Sequence, residues 1–323
     1  DWRPAASPEA LRARARVLAA IRAFFAERDV MEVETPVLSA AANLDPHIDS
    51  LATTYQGPGA PDGRTLYLHT SPEFPMKRLL AAGSGPIYQL GRVFRQGESG
   101  RLHNPEFTML EWYRPGWDHH ALMDEVEALA ATVLGVTGPA ERLSYAEAFQ
   151  RHLDLNPHAA AVEELIQAAL AHGIAPPPGL GRDDRDGWLD LLLSQRIEPY
   201  LGRGRPTFIY DYPASQAALA RVRGGWPPVA ERFELYSEGV ELANGFHELA
   251  DAAEQRRRFE AERARREAET GRPAPSLDER LLAALEAGLP DCAGVALGVD
   301  RLLMRAAGAE RLEQVLAFPL DRA

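Results

Sequence analysis

The sequence predicts an α+β fold: an antiparallel sheet flanked by helices, with a helical insertion over about residues 118–200. Three observations carry this reading. Strand-like runs bunch on either side of a long stretch of helical periodicity, which is the α+β pattern and not the βαβ alternation. Leu90–Arg95 and Phe107–Tyr113 read as an antiparallel pair joined by a loop over 96–106. No internal repeat, low-complexity tract or linker breaks the 323 residues, so one domain over 1–323 is expected.

Each element follows from its own residues. Residues 7–29 predict a helix, with Leu11, Leu18, Ile21 and Phe25 on one side and Ser7-Pro8-Glu9 as its cap. A short strand over Val30–Val33 stops at Glu34-Thr35-Pro36, because proline lacks the ladder donor. Residues 40–64 read as loop, with turn signals at Asn43, Asp45-Pro46 and Gly57-Pro58-Gly59-Ala60-Pro61. Leu66–Leu68 predicts a strand, Pro72–Ala82 a helix and Ile87–Arg95 a strand. In the run Phe107–Tyr113 the period of two puts Phe107, Met109, Glu111 and Tyr113 on one face, and Thr108, Leu110 and Trp112 on the other. Helices dominate 118–200, interrupted at Ala175-Pro176-Pro177-Pro178. Strands resume at Thr207–Tyr212, Arg232–Tyr236 and Val240–Phe246. A highly charged helix over Asp251–Glu269 and another over Leu277–Ala287 precede a strand-to-helix junction at Gly294–Arg301.

Composition narrows the class of function. Hydrophobic residues at 46% and charged residues at 25% are the profile of a soluble globular protein. The single cysteine, Cys292, leaves no internal disulfide framework and fits a reducing compartment. No apolar run approaches the ~18 residues that a membrane span needs, and the first 30 residues hold six arginines without an apolar secretory core. A cytoplasmic enzyme with no membrane contact is expected. The net charge of −12 argues against a nucleic-acid-gripping surface, which draws its affinity from neutralised phosphates.

Three clusters join charge to strand placement. Arg95 stands at a strand end beside the loop Gln96–Glu106, with Arg101 and His103 close in sequence; a guanidinium fork there suits a polyphosphate. Glu241 and Glu248 flank an Asn244-Gly245 turn signal, and two convergent carboxylates suit Mg²⁺. Gly298-Val299-Asp300-Arg301 would bring backbone and a first-turn arginine to a flat ligand. Neither a P-loop nor a dinucleotide fingerprint is present. The nine histidines are scattered, and His119-His120 are adjacent and not at metal-ligand spacing, so zinc is not expected. Asp45, His47 and Asp49 read as structural loop residues, and Cys292 as a small thiol without catalytic context.

In this order the clusters resemble the three signature motifs of the class II aminoacyl-tRNA synthetases. The first helix, strand and Pro36 look like motif 1, Phe94-Arg95 through Phe107–Glu111 like motif 2, and Gly298–Arg301 like motif 3. Thr70-Ser71-Pro72-Glu73, Met76–Leu79, His103–Thr108 and Glu241–Phe246 look like the lysyl branch. The motif 1 helix starts at about Ser7, leaving no room for the lysyl enzymes' N-terminal anticodon-binding barrel. A stand-alone core of this size resembles the elongation factor P–lysine ligases, which activate (R)-β-lysine with ATP and transfer it to a lysine ε-amino group of elongation factor P.

The resemblance implies ATP and Mg²⁺ as cofactors, elongation factor P as partner in place of tRNA, and a homodimer formed through motif 1. It places Arg95, Gln96, Gly97, Glu98, His103, Asn104, Phe107, Glu241, Leu242, Gly298 and Arg301 at ATP. Within that set Arg95 would hold the α-phosphate, Phe107 would stack on adenine above Gly298, and Arg301 would take the γ-phosphate. Glu241 and Glu248 would place Mg²⁺. Ser71, Pro72, Glu73, Glu111, Tyr113, Asn244, Glu248 and Ala296 would line the amino-acid pocket, where carboxylates suit a dication. No general base is implied, since such catalysis rests on positioning and electrostatics. Two departures stand out. Gln96-Gly97-Glu98 follows Arg95 where the lysyl pattern has Asn-Glu, so Glu98 would take over the acid's role. Ala296 replaces a glycine, and its methyl on the pocket floor would suit a β-amino acid. A truncated lysyl-tRNA synthetase and a catalytically silent regulatory paralogue are the alternatives.

Overall fold

Ser7 accepts a hydrogen bond from Ala10 N and Pro8 occupies the first turn, so α1 (Pro8–Ala26) starts where its cap predicts. The structure is a computed structural model describing residues 2–323. After α1 come β1 (Met31–Glu32), β2 (Leu38–Ser39), β3 (Ala52–Gly57), β4 (Ala60–Leu68), α2 (Glu73–Ala81), β5 (Ile87–Phe94) and β6 (Glu106–Pro115). The middle of the chain forms α3 (His119–Leu134), β7 (Glu141–Ser144), α4 (Tyr145–Leu153), α5 (Val162–Ala171), α6 (Arg185–Leu192), β8 (Thr207–Pro213), β9 (Val222–Arg223), β10 (Val229–Ser237) and β11 (Val240–His247). α7 (Ala252–Thr270), α8 (Glu279–Gly288), β12 (Cys292–Gly298) and α9 (Val299–Ala306) complete it.

By its internal contacts the chain divides into two units. The first runs up to Trp117 and adds Thr132–Leu134 and Ala250–Ala323; the second holds Asp118–Ala131 and Gly135–Leu249. In the first unit the strands lie in the order β1-β5-β6-β12, with β6 antiparallel to both neighbours and β1 parallel to β5. The predicted β5–β6 pair is present in register, Leu90 opposite Leu110 and Phe94 opposite Glu106. One face of this sheet is core. Phe25 of α1 stacks on Tyr88 at 4.4 Å and meets Trp112 edge-on at 5.3 Å, all three buried. Phe107, Met109, Glu111 and Tyr113 take the other face.

In the second unit the order is β11-β10-β8-β7, with β9 added to β10. Its core is built from α4–α6 on the sheet, with Tyr145, Phe149, Trp188, Ile197 and Tyr212 buried together.

Three expectations need correction. Residues 40–64 are not all loop: β3 and β4 form a hairpin turning at Gly57-Pro58-Gly59, and β4 also pairs with β2. The turn signals were sound there, but both strands are largely exposed and carry no apolar alternation to announce them. The sheet is mixed, because β1 and β7 run parallel to their partners. Asn244-Gly245 is no turn; it lies inside β11, where Gly245 pairs with Phe233 and the Asn244 side chain bonds to Arg232 and Glu234 of β10.

Candidate active site

Directly opposed residues in a ladder share a face. Glu111 on β6 therefore shares its face with Gln89 of β5 and Ala296 of β12, while Met109 lies between Gly91 and Gly298. Small residues at 91, 296 and 298 keep this floor low. Glu111 is buried, and both its oxygens are engaged: Ser71 Oγ donates to one at 2.6 Å and the Tyr113 hydroxyl to the other at 2.6 Å. Ser71 Oγ also accepts from the Glu73 amide at 3.0 Å, fixing the start of α2 behind buried Pro72. Lys77, one turn on and fully buried, places Nζ 2.6 Å from Glu73. Glu73 is thus already neutralised from within, whereas the hydroxyls on Glu111 leave its charge uncompensated by them. A cavity of about 140 Å³ opens beside Ser71 and Glu73.

Arg95 follows β5 directly. Its guanidinium lies 5.2 Å from the centre of the Phe107 ring and 3.7 Å from Glu98. Among the described residues its buried Nε has no hydrogen-bond partner, which fits a donor awaiting an anionic oxygen. Gly97, at φ +82°, makes the left-handed bend that returns Glu98 to Arg95, and Gln96 is tied to Asp49. On the far side of this loop Arg301 donates to Leu102 O at 3.4 Å and reaches His103 Nε2 at 2.7 Å. Burial, and then the Arg301 charge, hold the His103 ring below its ordinary pKa, so the neutral ring accepts that bond. Asn104 turns to the backbone: its amide donates to Glu106 O at 2.7 Å and its oxygen accepts from Leu320 N at 3.1 Å.

Asp300, given no role by the sequence, proves to be the brace. It accepts from the Thr108 amide at 2.6 Å and from Arg14 of α1, linking β6, α9 and α1 beneath Arg301.

In the second unit, Glu241 and Glu248 are seven residues apart, an odd spacing that would put them on opposite faces of a regular strand. A bulge removes the conflict. Leu235 pairs with Ala243 and Tyr236 with Glu241, so the buried Leu242 is the extra residue. Glu241 thereby joins Asn244, Phe246 and Glu248 on one face. Glu234 shares it, a residue the sequence reading missed although Arg232, Glu234 and Tyr236 alternate visibly. Glu234 accepts from Tyr212 at 2.7 Å, from Tyr236, from Arg232 and, at 3.3 Å, from Asn244 Nδ2. Glu234 is taken up by these four donors, which leaves Glu241 and Glu248 as the carboxylates of this face whose hard oxygens suit Mg²⁺.

Two arginines on separate elements, one of them over the Phe107 ring, and a buried carboxylate are groups that nucleotide-dependent acyl activation can use. Comparison with known proteins agrees. The family profile described as class II tRNA synthetases (D, K and N) matches residues 1–322.

The chain belongs to that family. Within it, this class II synthetase chain is 55% identical over 326 aligned positions to the elongation factor P–(R)-β-lysine ligase of Vibrio cholerae, covering all of this chain and 99% of the relative. It is 54% identical to the same-named protein of Yersinia enterocolitica and 53% identical to that of Salmonella arizonae, again over the whole chain and 98% of each. Membership accounts for an ATP-using fold with Arg95 and Arg301 at two separate elements. Among the described residues no helix is long and apolar enough to cross a membrane.

Proposed function

We propose that the chain uses ATP to activate (R)-β-lysine, or lysine, as an aminoacyl-adenylate and transfers it to a lysine side chain of elongation factor P in the cytoplasm. One observation carries this reading: end-to-end identity of 53–55% with relatives bearing the name of that ligase. The substrate carboxylate oxygen attacks the α-phosphorus and pyrophosphate leaves; the acceptor ε-amine then attacks the acyl carbon and AMP leaves.

In this scheme Arg95 stabilises charge on the α-phosphate, with Glu98 holding its guanidinium in place. Phe107 and Gly298 sandwich adenine, Gln96, Gly97, His103 and Asn104 shape the loop around it, and Arg301 takes the γ-phosphate. Glu241 and Glu248 hold Mg²⁺, which supplies charge neutralisation on the polyphosphate, and Leu242 sets the bulge that aligns them. Glu111, aimed by Ser71 and Tyr113, meets a substrate ammonium group, with Pro72, Glu73 and Ala296 around it in the first unit. The exposed Met31, Val37 and Leu38 on and after the edge strand β1 support a homodimer through this region.

The test is a transfer assay with ATP, labelled α-lysine or β-lysine, and either unmodified elongation factor P or tRNA-Lys. Label is expected on the protein and not on the tRNA. Label on tRNA overturns the reading in favour of a truncated synthetase. No label and no pyrophosphate exchange overturns it in favour of a silent paralogue.

A further inference from the structure

On the second unit's sheet, His247 faces away from the carboxylate face described above, since neighbouring residues of a strand alternate. There it meets His119 from the first turn of α3 and Glu231 of β10. One donor atom from each lies within 4.8 Å of the others, and all three residues are buried. Glu231 Oε2 is 2.7 Å from His247 Nδ1, and Asp211 Oδ1 is 3.5 Å from His119 Nε2. Neighbouring donors of a tetrahedral zinc site with bonds of ~2.0 Å stand about 3.3 Å apart. Among the described residues, neither ring nitrogen of His119 makes a hydrogen bond of normal geometry, although the ring is only 1% exposed.

Two further features aim the carboxylates inward. Asp211 has φ +57°, left-handed backbone uncommon within a strand, at the point where the β8–β10 register shifts. Arg223 on β9 grips the outer oxygen of each carboxylate, Asp211 Oδ2 at 2.6 Å and Glu231 Oε1 at 3.3 Å. The inner oxygens, Oδ1 and Oε2, face the imidazoles, with Arg221 Nε also 3.7 Å from Glu231 Oε2. This outer hydrogen bonding is the arrangement that orients ligands in metal centres.

We propose that His119, Glu231 and His247, with Asp211 as a fourth donor, bind one structural zinc ion. The ion clamps the start of α3 to β10 and to the end of β11. Two neutral imidazoles and two carboxylates balance a dication, and mixed nitrogen–oxygen donors favour zinc over Mg²⁺.

The experiment is metal titration of the chelator-stripped full chain in excess Mg²⁺, which saturates the hard carboxylate site. One equivalent of zinc is expected to shift the ring ¹⁵N resonances of two histidines, and cobalt(II) to give the intense visible bands of a four-coordinate centre. His119→Gln should weaken zinc binding by at least ~100-fold, and Arg223→Gln by roughly 10- to 100-fold, the range seen when an outer ligand contact is lost. Because the wild-type spectra stand alone, a variant that fails to fold does not shelter the proposal. Unchanged ring resonances, or zinc affinity equal in wild type and both variants, overturns it and leaves a hydrogen-bonded histidine–carboxylate cluster.

Discussion

The Arg301–His103 contact exists only while the imidazole is neutral. Burial, and secondarily the Arg301 charge, lower the ring's pKa in the folded chain below the ~6.5 of an unfolded one. The unfolded state therefore binds the proton first as pH falls. Stability is complete above about pH 6.5 and is lost as pH drops through the window down to the folded value. Urea unfolding of the wild type between pH 7.5 and about 5 should show this loss, and His103→Asn should flatten it; equal slopes in both proteins would remove the contact from the account. Ala296 makes a second prediction at this scale. Ala296 pairs with Glu111 across the ladder, so under the proposed function its methyl would crowd the part of a substrate nearest that carboxylate. Ala296→Gly should shift the kcat/KM ratio towards α-lysine, by about tenfold for contact with one or two methylenes' worth of space. An unchanged ratio would mean that the floor does not select.

Among the elements, β6 does the most positioning because its two faces have different tasks. One is anchored by the Phe25–Tyr88–Trp112 cluster under α1, and the other carries Phe107 and Glu111. Phe25→Ala should cost about 3–5 kcal/mol of unfolding free energy, since a fully buried ring leaves a cavity. Chemical denaturation measures that directly; a loss below about 1 kcal/mol would show that α1 repacks. Period-two alternation made this strand readable in advance. It could not reveal the bulge at Leu242, because a bulge is set by how β10 and β11 register against each other. A strict alternation applied to Glu241 and Glu248 would separate them, and the paired strands reunite them. The β3–β4 hairpin escaped notice for a related reason: exposed strands lack the apolar face that periodicity detects.

At the scale of the whole molecule, the apolar residues exposed along β1 and β2 predict a homodimer. Sedimentation equilibrium at micromolar concentration should give twice the 35.5 kDa of one chain, and Leu38→Glu should halve the mass; a monomer in both would reject the interface. The sequence by itself determined the family, the strand carrying Phe107 and Glu111, both arginines, and the junction at Gly298, because each rests on local periodicity or on residues close in the chain. Only the tertiary structure decided which charges meet. Lys77 quenches Glu73, Asp300 ties α9 to Arg14 and Thr108, Glu234 joins the carboxylate face, and His119 finds Glu231 and His247 more than a hundred residues away. The physical reason is range: hydrophobic alternation is written along a few consecutive residues, whereas a buried charge takes its partner from whatever strand the fold lays beside it.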